Sequence, residues 1–269
     1  MRFGCCGSMV AVESDKTGVE IVEKLKEIGY DYIELSLAHL SLLPEDAFLK
    51  IKERVKASGL RCEACNNFFP PDLRLTGDHV DMEKIKRYLE TALSRAWELG
   101  VEVIVFGSGP AKSFPEGFSK EKAWKQIVDL SKLIGGMAED YNITIAIEPL
   151  RREECNIINR TLEGLELAKE VERDNVKLLV DFYHIRSEGE DPNIIKNCRG
   201  YIRHVHFARF EGRTFPKRIE EDENYLPFIN SLKEINYQDR VSVEAYSKDF
   251  YKDATATLQF FRMYFGPSN

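Results

Sequence analysis

The sequence predicts an α/β protein built as one (β/α)8 barrel, and three observations carry that expectation. Short β-branched runs alternate with amphipathic stretches along the 269 residues, giving eight units at a spacing of roughly 25 to 40 residues. Several of the amphipathic stretches stop at a glycine or asparagine suited to a left-handed exit. No Ser/Gly-rich or low-complexity tract separates the units, so nothing reads as a domain linker.

Taken in order, residues 3–6 form the first strand. Within 19–28, the apolar residues Ile21, Val22, Leu25 and Ile28 fall at helical spacing, and Gly29 ends that helix. Residues 32–35 are the second strand, 44–58 a helix ended by Gly59, and 60–65 the third strand. A long amphipathic helix over 82–99 ends at Gly100 and leads into strand four, 101–106. Residues 120–140 are helical, with Tyr141-Asn142 as the exit. The run 143–147 then reads as a strand buried on both faces, because four of its five residues are β-branched and Ala146 is small. Helices over 161–171, 193–198, 224–235 and 254–264 alternate with strands over 176–180, 201–206 and 240–244. An internal echo supports the count: Leu25-Lys26-Glu27-Ile28-Gly29-Tyr30 resembles Leu232-Lys233-Glu234-Ile235-Asn236-Tyr237. A doubly wound open sheet is the rival, but no glycine-rich dinucleotide turn follows the first strand. The expectation is therefore a single TIM-barrel domain over 1–269.

Composition narrows the functional classes. With 43% hydrophobic and 31% charged residues, the chain can bury a sizeable core. A net charge of −7 argues against nucleic acid or anionic membranes as partners. No run approaches the ~18 apolar residues that span a bilayer, and Met1 to Cys6 turns polar too soon for a signal peptide. Six cysteines, at 5, 6, 62, 65, 155 and 198, are too few for a disulfide scaffold, so a reduced, cytoplasmic protein is expected. Cys62 and Cys65 make a CxxC. On a regular strand, positions three apart face opposite sides, so the pair reads as two small strand residues and not as a redox or zinc motif.

The chemistry gathers where strands end. Glu148 closes the strand at 143–147 and is followed by Pro149, which cannot donate to a ladder. Asp181 follows 176–180, His206 ends 201–206, and Glu244 ends 240–244. A lone buried carboxylate is costly, so acids in these places need a reason. In a barrel these four ends lie on one rim, where the side chains can converge on one divalent cation. Taken singly each is ordinary: a strand-end acid is commonly a loop or cap partner, and His206, like His204 on the same face, a hydrogen-bonded pocket residue. Four suitable ligands at four successive strand ends outweigh that reading. Their oxygen-rich set suits Mn²⁺, Mg²⁺ or Co²⁺ better than zinc, and leaves coordination positions for two adjacent oxygens of a polyol or hydroxyketone. Such an ion would polarise a carbonyl and acidify the neighbouring C–H. Glu34 and Glu63 are further strand acids that could face the pocket, without an assigned role. Long segments after strands, 66–79, 107–119 and 208–222, are where a barrel builds its pocket.

These residues also carry a family resemblance over nearly the whole chain. Ile147-Glu148-Pro149-Leu150, Asp181-Phe182-Tyr183-His184, His204-Val205-His206-Phe207-Ala208 followed by Arg213, and Val243-Glu244 are its matching stretches, with 66–77 and 106–119 similar to the family's loops. The sequence resembles the sugar-phosphate isomerase/epimerase family of xylose-isomerase-like TIM barrels, the group that includes D-tagatose and D-psicose 3-epimerases. The resemblance implies a metal held by Glu148, Asp181, His206 and Glu244, with Glu148 and Glu244 as the catalytic proton-shuttling pair. It implies that His184, Glu154 and Arg213 bind the substrate. The implied reaction is epimerisation or isomerisation of a small sugar or hydroxyketone through a metal-stabilised cis-enediolate. Arg151 stands where the family commonly has Asn, and Pro216-Lys217 where Pro-Gly is frequent. Alternatives are an inosose-type keto-polyol dehydratase on the same metal site and a non-catalytic sugar-binding barrel. A DNA-repair endonuclease with three zinc ions is disfavoured by five histidines and the negative charge. The expected partner is a small sugar or keto-polyol, with no nucleic acid and no membrane; pairing into a homo-oligomer through loops over the pocket is left open.

Overall fold

Strands that are apolar on both faces must be covered on both, and here closure of the sheet covers one face and helices the other. The computed structural model describes residues 1–266. In it β1 (Arg2–Cys6) leads to α1 (Val22–Ile28), β2 (Tyr32–Ser36) to α2 (Leu37–Leu42) and α3 (Glu45–Ser58), and β3 (Arg61–Asn66) to α4 (Met82–Leu99). Next, β4 (Val103–Phe106) leads to α5 (Gly109–Lys112) and α6 (Lys120–Glu139), and β5 (Thr144–Ile147) to α7 (Thr161–Val171). Then β6 (Val176–Asp181) precedes α8 (Phe182–Ser187), β7 (Ile202–Phe207) precedes α9 (Tyr225–Glu234), and β8 (Arg240–Val243) precedes α10 (Phe250–Tyr264). Each strand pairs in parallel with its neighbour in sequence, and β8 returns to β1, closing an eight-stranded barrel.

All eight expected strands are present. Gly29 at φ 98° and Asn236 at φ 56° are the left-handed exits that the internal echo predicts. The closing helix starts a turn earlier than expected, at Phe250, because the Asp249 side chain caps it by accepting from the Lys252 amide. The helix expected over 193–198 is a 3₁₀ segment, Pro192–Cys198. The short helices α2, α5 and α8 were not expected; each spans under two turns, too little to carry a periodic signal. The last three residues of the expected domain, 267–269, lie outside the described ones.

Packing follows from strand parity. Tyr32, Ala64, Val103, Val105, Ala146 and Leu179 fill the barrel's interior. Their alternates, among them Ile33, Ile104, Ile145 and Leu178, belong to the larger layer under the helices. There α4 sets Ile85, Leu89, Ala92, Leu93 and Ala96 on one buried stripe. Each fully buried Leu or Ile of that stripe stabilises the fold by about 1.5–3 kcal/mol.

One irregularity changes what the strands present. Ile33 pairs with Cys62 but Glu34 pairs with Ala64, so Glu63 is an extra residue in β3. The bulge breaks the parity assumed from sequence. Cys62 and Cys65 lie in the same outer layer, and the Cys65 thiol is pushed up first by burial and then by Cys62 beside it. All six cysteines are free and buried. The bulge also turns Glu63 away from the mouth, correcting the expectation that it could face the pocket. It accepts from Arg2 Nε at 2.9 Å and Arg240 Nε at 2.8 Å, at the N-terminal end of the barrel.

Candidate metal centre and pocket

The same parity builds the site at the opposite end. Ala146 and Leu179 point inward, as do His204 and Ser242, which meet Glu34 inside the barrel. Two residues further along these strands stand Glu148, Asp181, His206 and Glu244, on the same face and at the C-terminal rim. The four predicted ligands are all buried, and each offers one donor atom within 4.8 Å of the others. His206 Nδ1 lies 3.2 Å from Glu148 Oε1 and 3.3 Å from Glu244 Oε2.

The three residues expected to hold substrate gather at the same rim. His184 Nε2 is 3.5 Å from Asp181 Oδ2 and 4.0 Å from Glu148 Oε1, while its Nδ1 accepts from the Arg151 amide at 3.3 Å. Arg213 donates to Glu244 and lies 3.6 Å from Asp181 Oδ2 and 3.5 Å from Glu154 Oε1. Its backbone is left-handed at φ 47°, directly after Gly212 at φ 72°. Holding a non-glycine residue there costs about 1 kcal/mol or more. Stacking of the guanidinium 4.6 Å over the Tyr183 ring offsets part of that. Glu154 accepts from Arg151 Nε at 2.8 Å, and Arg151 in turn donates to the Tyr183 hydroxyl at 2.7 Å. Arg151 thus braces the wall bearing Glu154 and Tyr183.

Burial and neighbours drive the acids apart. Burial pushes the Asp181 carboxyl up to about 7, against the pull of Arg213. Glu148 is also raised, chiefly by burial. Glu244 is equally buried, yet His206 and Arg213 beside it hold it well below the usual carboxylate range. Burial lowers His206, but Glu244 and Glu34 outweigh that and raise the imidazole above its usual value. His184 is driven down by burial and then by Arg213, so it stays neutral.

Whether a cation fits can be judged from what these groups lack. Asp181 Oδ2 is buried and has no hydrogen-bond partner among the described residues. Three carboxylates share one nearby guanidinium, that of Arg213. Gly107 leaves room for one of them: a Cβ there would sit 2.2 Å from Glu148 Oε2. Three oxygens and one imidazole nitrogen form a donor set for a hard or borderline divalent ion, so the residues fit one. Above them opens a cavity of about 580 Å³, walled by Phe69, Pro70 and Leu42 on one side and by Glu154, His184 and Arg213 on the other. That is room for a small polar ligand.

Four contributors escape sequence reasoning. Asn66, at the end of β3, donates to Glu244 Oε1 at 2.9 Å. Lys112 is fully buried and donates to the carbonyls of Phe106 and Glu148 at 3.3 and 3.1 Å, fixing the backbone that carries Glu148. Gly107 carried a faint signal, as the first residue past strand four; Lys112 carried none. Glu34 was visible as a strand acid, but its partners lie 170 residues and more away in the chain.

Comparison with known proteins places the chain in a family. The model of the xylose isomerase-like TIM barrel family matches residues 22–263. A D-psicose 3-epimerase from Ruminiclostridium cellulolyticum is 22% identical over 233 residues, covering 84% of this chain and 77% of that protein. An inosose isomerase from Bacillus licheniformis is 26% identical over 270 residues, covering 92% and 90%. Among solved structures, a D-psicose 3-epimerase with D-tagatose from Clostridium cellulolyticum superposes at a TM-score of 0.85 with 20% identity, over 99% of this chain and all of that one.

Proposed function

Because the chain belongs to the xylose isomerase-like TIM barrel family, we propose that it is a divalent-metal-dependent epimerase or isomerase of a small sugar or hydroxyketone. Relatives named D-psicose 3-epimerase and inosose isomerase support the reaction class. The observation that carries the reading is the rim cluster: four inward donors within 4.8 Å of one another, with Asp181 Oδ2 left without a partner. In this reading Glu148, Asp181, His206 and Glu244 hold the ion, which is Mn²⁺, Mg²⁺ or Co²⁺ by the oxygen-rich donor set. When bound, the ion supplies Lewis-acid polarisation of the substrate carbonyl.

The chain's own residues do the rest. Inverting a carbon beside a carbonyl requires removing a proton from one face and returning one to the other. Glu244, which accepts from Arg213 and from Asn66 and is so held as a carboxylate, is suited to take the C–H proton. Glu148, the other carboxyl at the rim, is then the group that delivers one to the opposite face of that carbon. The electron pair released from the C–H bond moves into the carbonyl to give an enediolate, and reprotonation on the other face completes the inversion. In the reverse direction the two carboxyls exchange roles. His184, Glu154 and Arg213 line the cavity and orient the hydroxyls, while Phe69, Pro70 and Leu42 exclude water from one side.

The test is incubation of the Mn²⁺-loaded protein with ketohexoses and inososes in deuterated water. The expected result is a new stereoisomer carrying one solvent deuteron at the inverted carbon. An enone absorbance would instead favour dehydration of a keto-polyol on the same site. Ligand binding without turnover under any metal would point to a sugar-binding barrel.

A further inference from the structure

Beneath the rim, the barrel's interior holds a carboxylate that the proposed reaction does not use. Glu34 sits on β2 with no solvent exposure. Its Oε1 accepts from His206 Nε2 at 2.9 Å. Its Oε2 is held by Ser242 Oγ at 2.6 Å and His204 Nε2 at 2.8 Å, and Ser242 is braced by the Tyr32 hydroxyl at 2.8 Å. Both oxygens are therefore engaged, and the carboxylate cannot rotate without breaking several buried bonds. A ring fixed at one nitrogen can present only the other. We propose that Glu34 is a positioning residue for the metal centre: by taking the Nε2–H of His206 it sets that ring's tautomer and plane, so that Nδ1 faces the cation.

This inference rests on the metal-site reading above. Its physical basis is general, since a carboxylate behind a ligating histidine fixes the tautomer and raises the basicity of the ligating nitrogen. A competing use of the same atoms is visible. Cys6, Glu34 and His206 are close enough together to hold a metal themselves, with Cys6 Sγ 3.8 Å from His206 Nε2. Against this, His206 Nε2 already has Glu34 as its partner, and Glu34 has no oxygen to spare.

The experiment is calorimetric titration of Mn²⁺ into the chelator-treated full chain, paired with NMR of the imidazole nitrogens in the Mg²⁺-loaded protein. The wild type is expected to bind one equivalent, with His206 protonated on Nε2. Glu34→Gln is expected to weaken Mn²⁺ binding about 10- to 100-fold and to blur that tautomer signature, in a chain whose circular dichroism is unchanged. Should that variant fail to fold, Glu34→Asp keeps the charge but withdraws it by one methylene, and is expected to lose about tenfold. A folded Glu34 variant with wild-type affinity, or His206 protonated on Nδ1 in the loaded wild type, overturns the inference while the metal-site reading stands. Failure of the wild type to bind Mn²⁺ overturns both. A second equivalent that disappears in Cys6→Ala overturns the inference by making Glu34 a ligand.

Discussion

The two ends of the barrel carry the same chemical groups in opposite ratios. At the N-terminal end, the carboxylates of Glu63 and Glu102 meet three guanidiniums, those of Arg2, Arg61 and Arg240. Glu63 is completely buried, yet both its oxygens are paired. At the mouth, Glu148, Asp181 and Glu244 are as deeply placed but share Arg213 alone among guanidiniums, and Asp181 Oδ2 is left over. One end is a closed ionic plug. The other has more carboxylates than guanidiniums, the balance that the proposed metal site requires.

The comparison can be broken by experiment, and the largest effect falls on turnover. Glu148→Gln and Glu244→Gln are each expected to lower the rate of solvent deuteron incorporation by about a thousandfold. Wild-type exchange in either variant would remove that carboxyl from the chemistry.

Equivalent acid-to-amide changes at the two ends should then move stability in opposite directions. Glu63→Gln removes the charge that Arg2 and Arg240 share and leaves Arg240 with Glu102 alone; it is expected to cost about 2 kcal/mol, below the ~3–5 kcal/mol of a fully broken buried pair, because Arg2 is half exposed and Arg240 keeps a partner. Asp181→Asn keeps the acceptor that caps α8, since Oδ1 takes the Tyr183 amide at 2.8 Å, and removes a buried carboxyl whose Oδ2 has no hydrogen bond and only a 3.6 Å approach from Arg213. In chelator its unfolding midpoint is expected to match or exceed the wild type's, while Mn²⁺ binding is lost. Urea titrations read both, and a strong destabilisation by Asp181→Asn would contradict the contrast.

A smaller effect is expected at Gly107. An added methyl must displace the Glu148 carboxylate, so Gly107→Ala is expected to cost about 1–3 kcal/mol and to weaken Mn²⁺ binding. Calorimetry with unchanged affinity would mean that Glu148 need not stand where it does.

The smallest effect lies at the rim of the plug. Burial raises Glu102, but Arg240 and Arg61 outweigh it and bring the carboxyl below its ordinary value. Its contribution is therefore full above the unfolded value of about 4.3 and is lost as pH falls through the lower folded one. Glu102→Gln should flatten the acid limb of the stability curve by under about 1 kcal/mol, given the exposure of the pair. An unchanged limb would exclude Glu102 from the plug's energetics.

What sequence alone could reach follows the same geometry. The rim cluster was legible because Glu148, Asp181, His206 and Glu244 end strands, and strand ends in a barrel share a rim. The barrel was legible because 3.6-residue periodicity and glycine exits recur between β-branched runs. The facing of Glu63 and of Cys62 and Cys65 was misread for one reason: the bulge in β3 shifts parity, and a bulge leaves no mark in composition; the two cysteines are nonetheless the free, buried strand residues expected. Glu34 could be seen but not assigned, because its meaning depends on His204, His206 and Ser242, which only closure of β8 on β1 brings near. Lys112 lay in a loop whose short helix has too few turns to read.

Anomalous diffraction from a Mn²⁺-soaked crystal tests the central claim most directly. The account predicts one strong peak at the mouth, within about 2.0–2.5 Å of donor oxygens from Glu148, Asp181 and Glu244 and of His206 Nδ1. A saturating soak that leaves that position empty, or puts its peak on the Nε2 side of His206 beside Cys6, would contradict it.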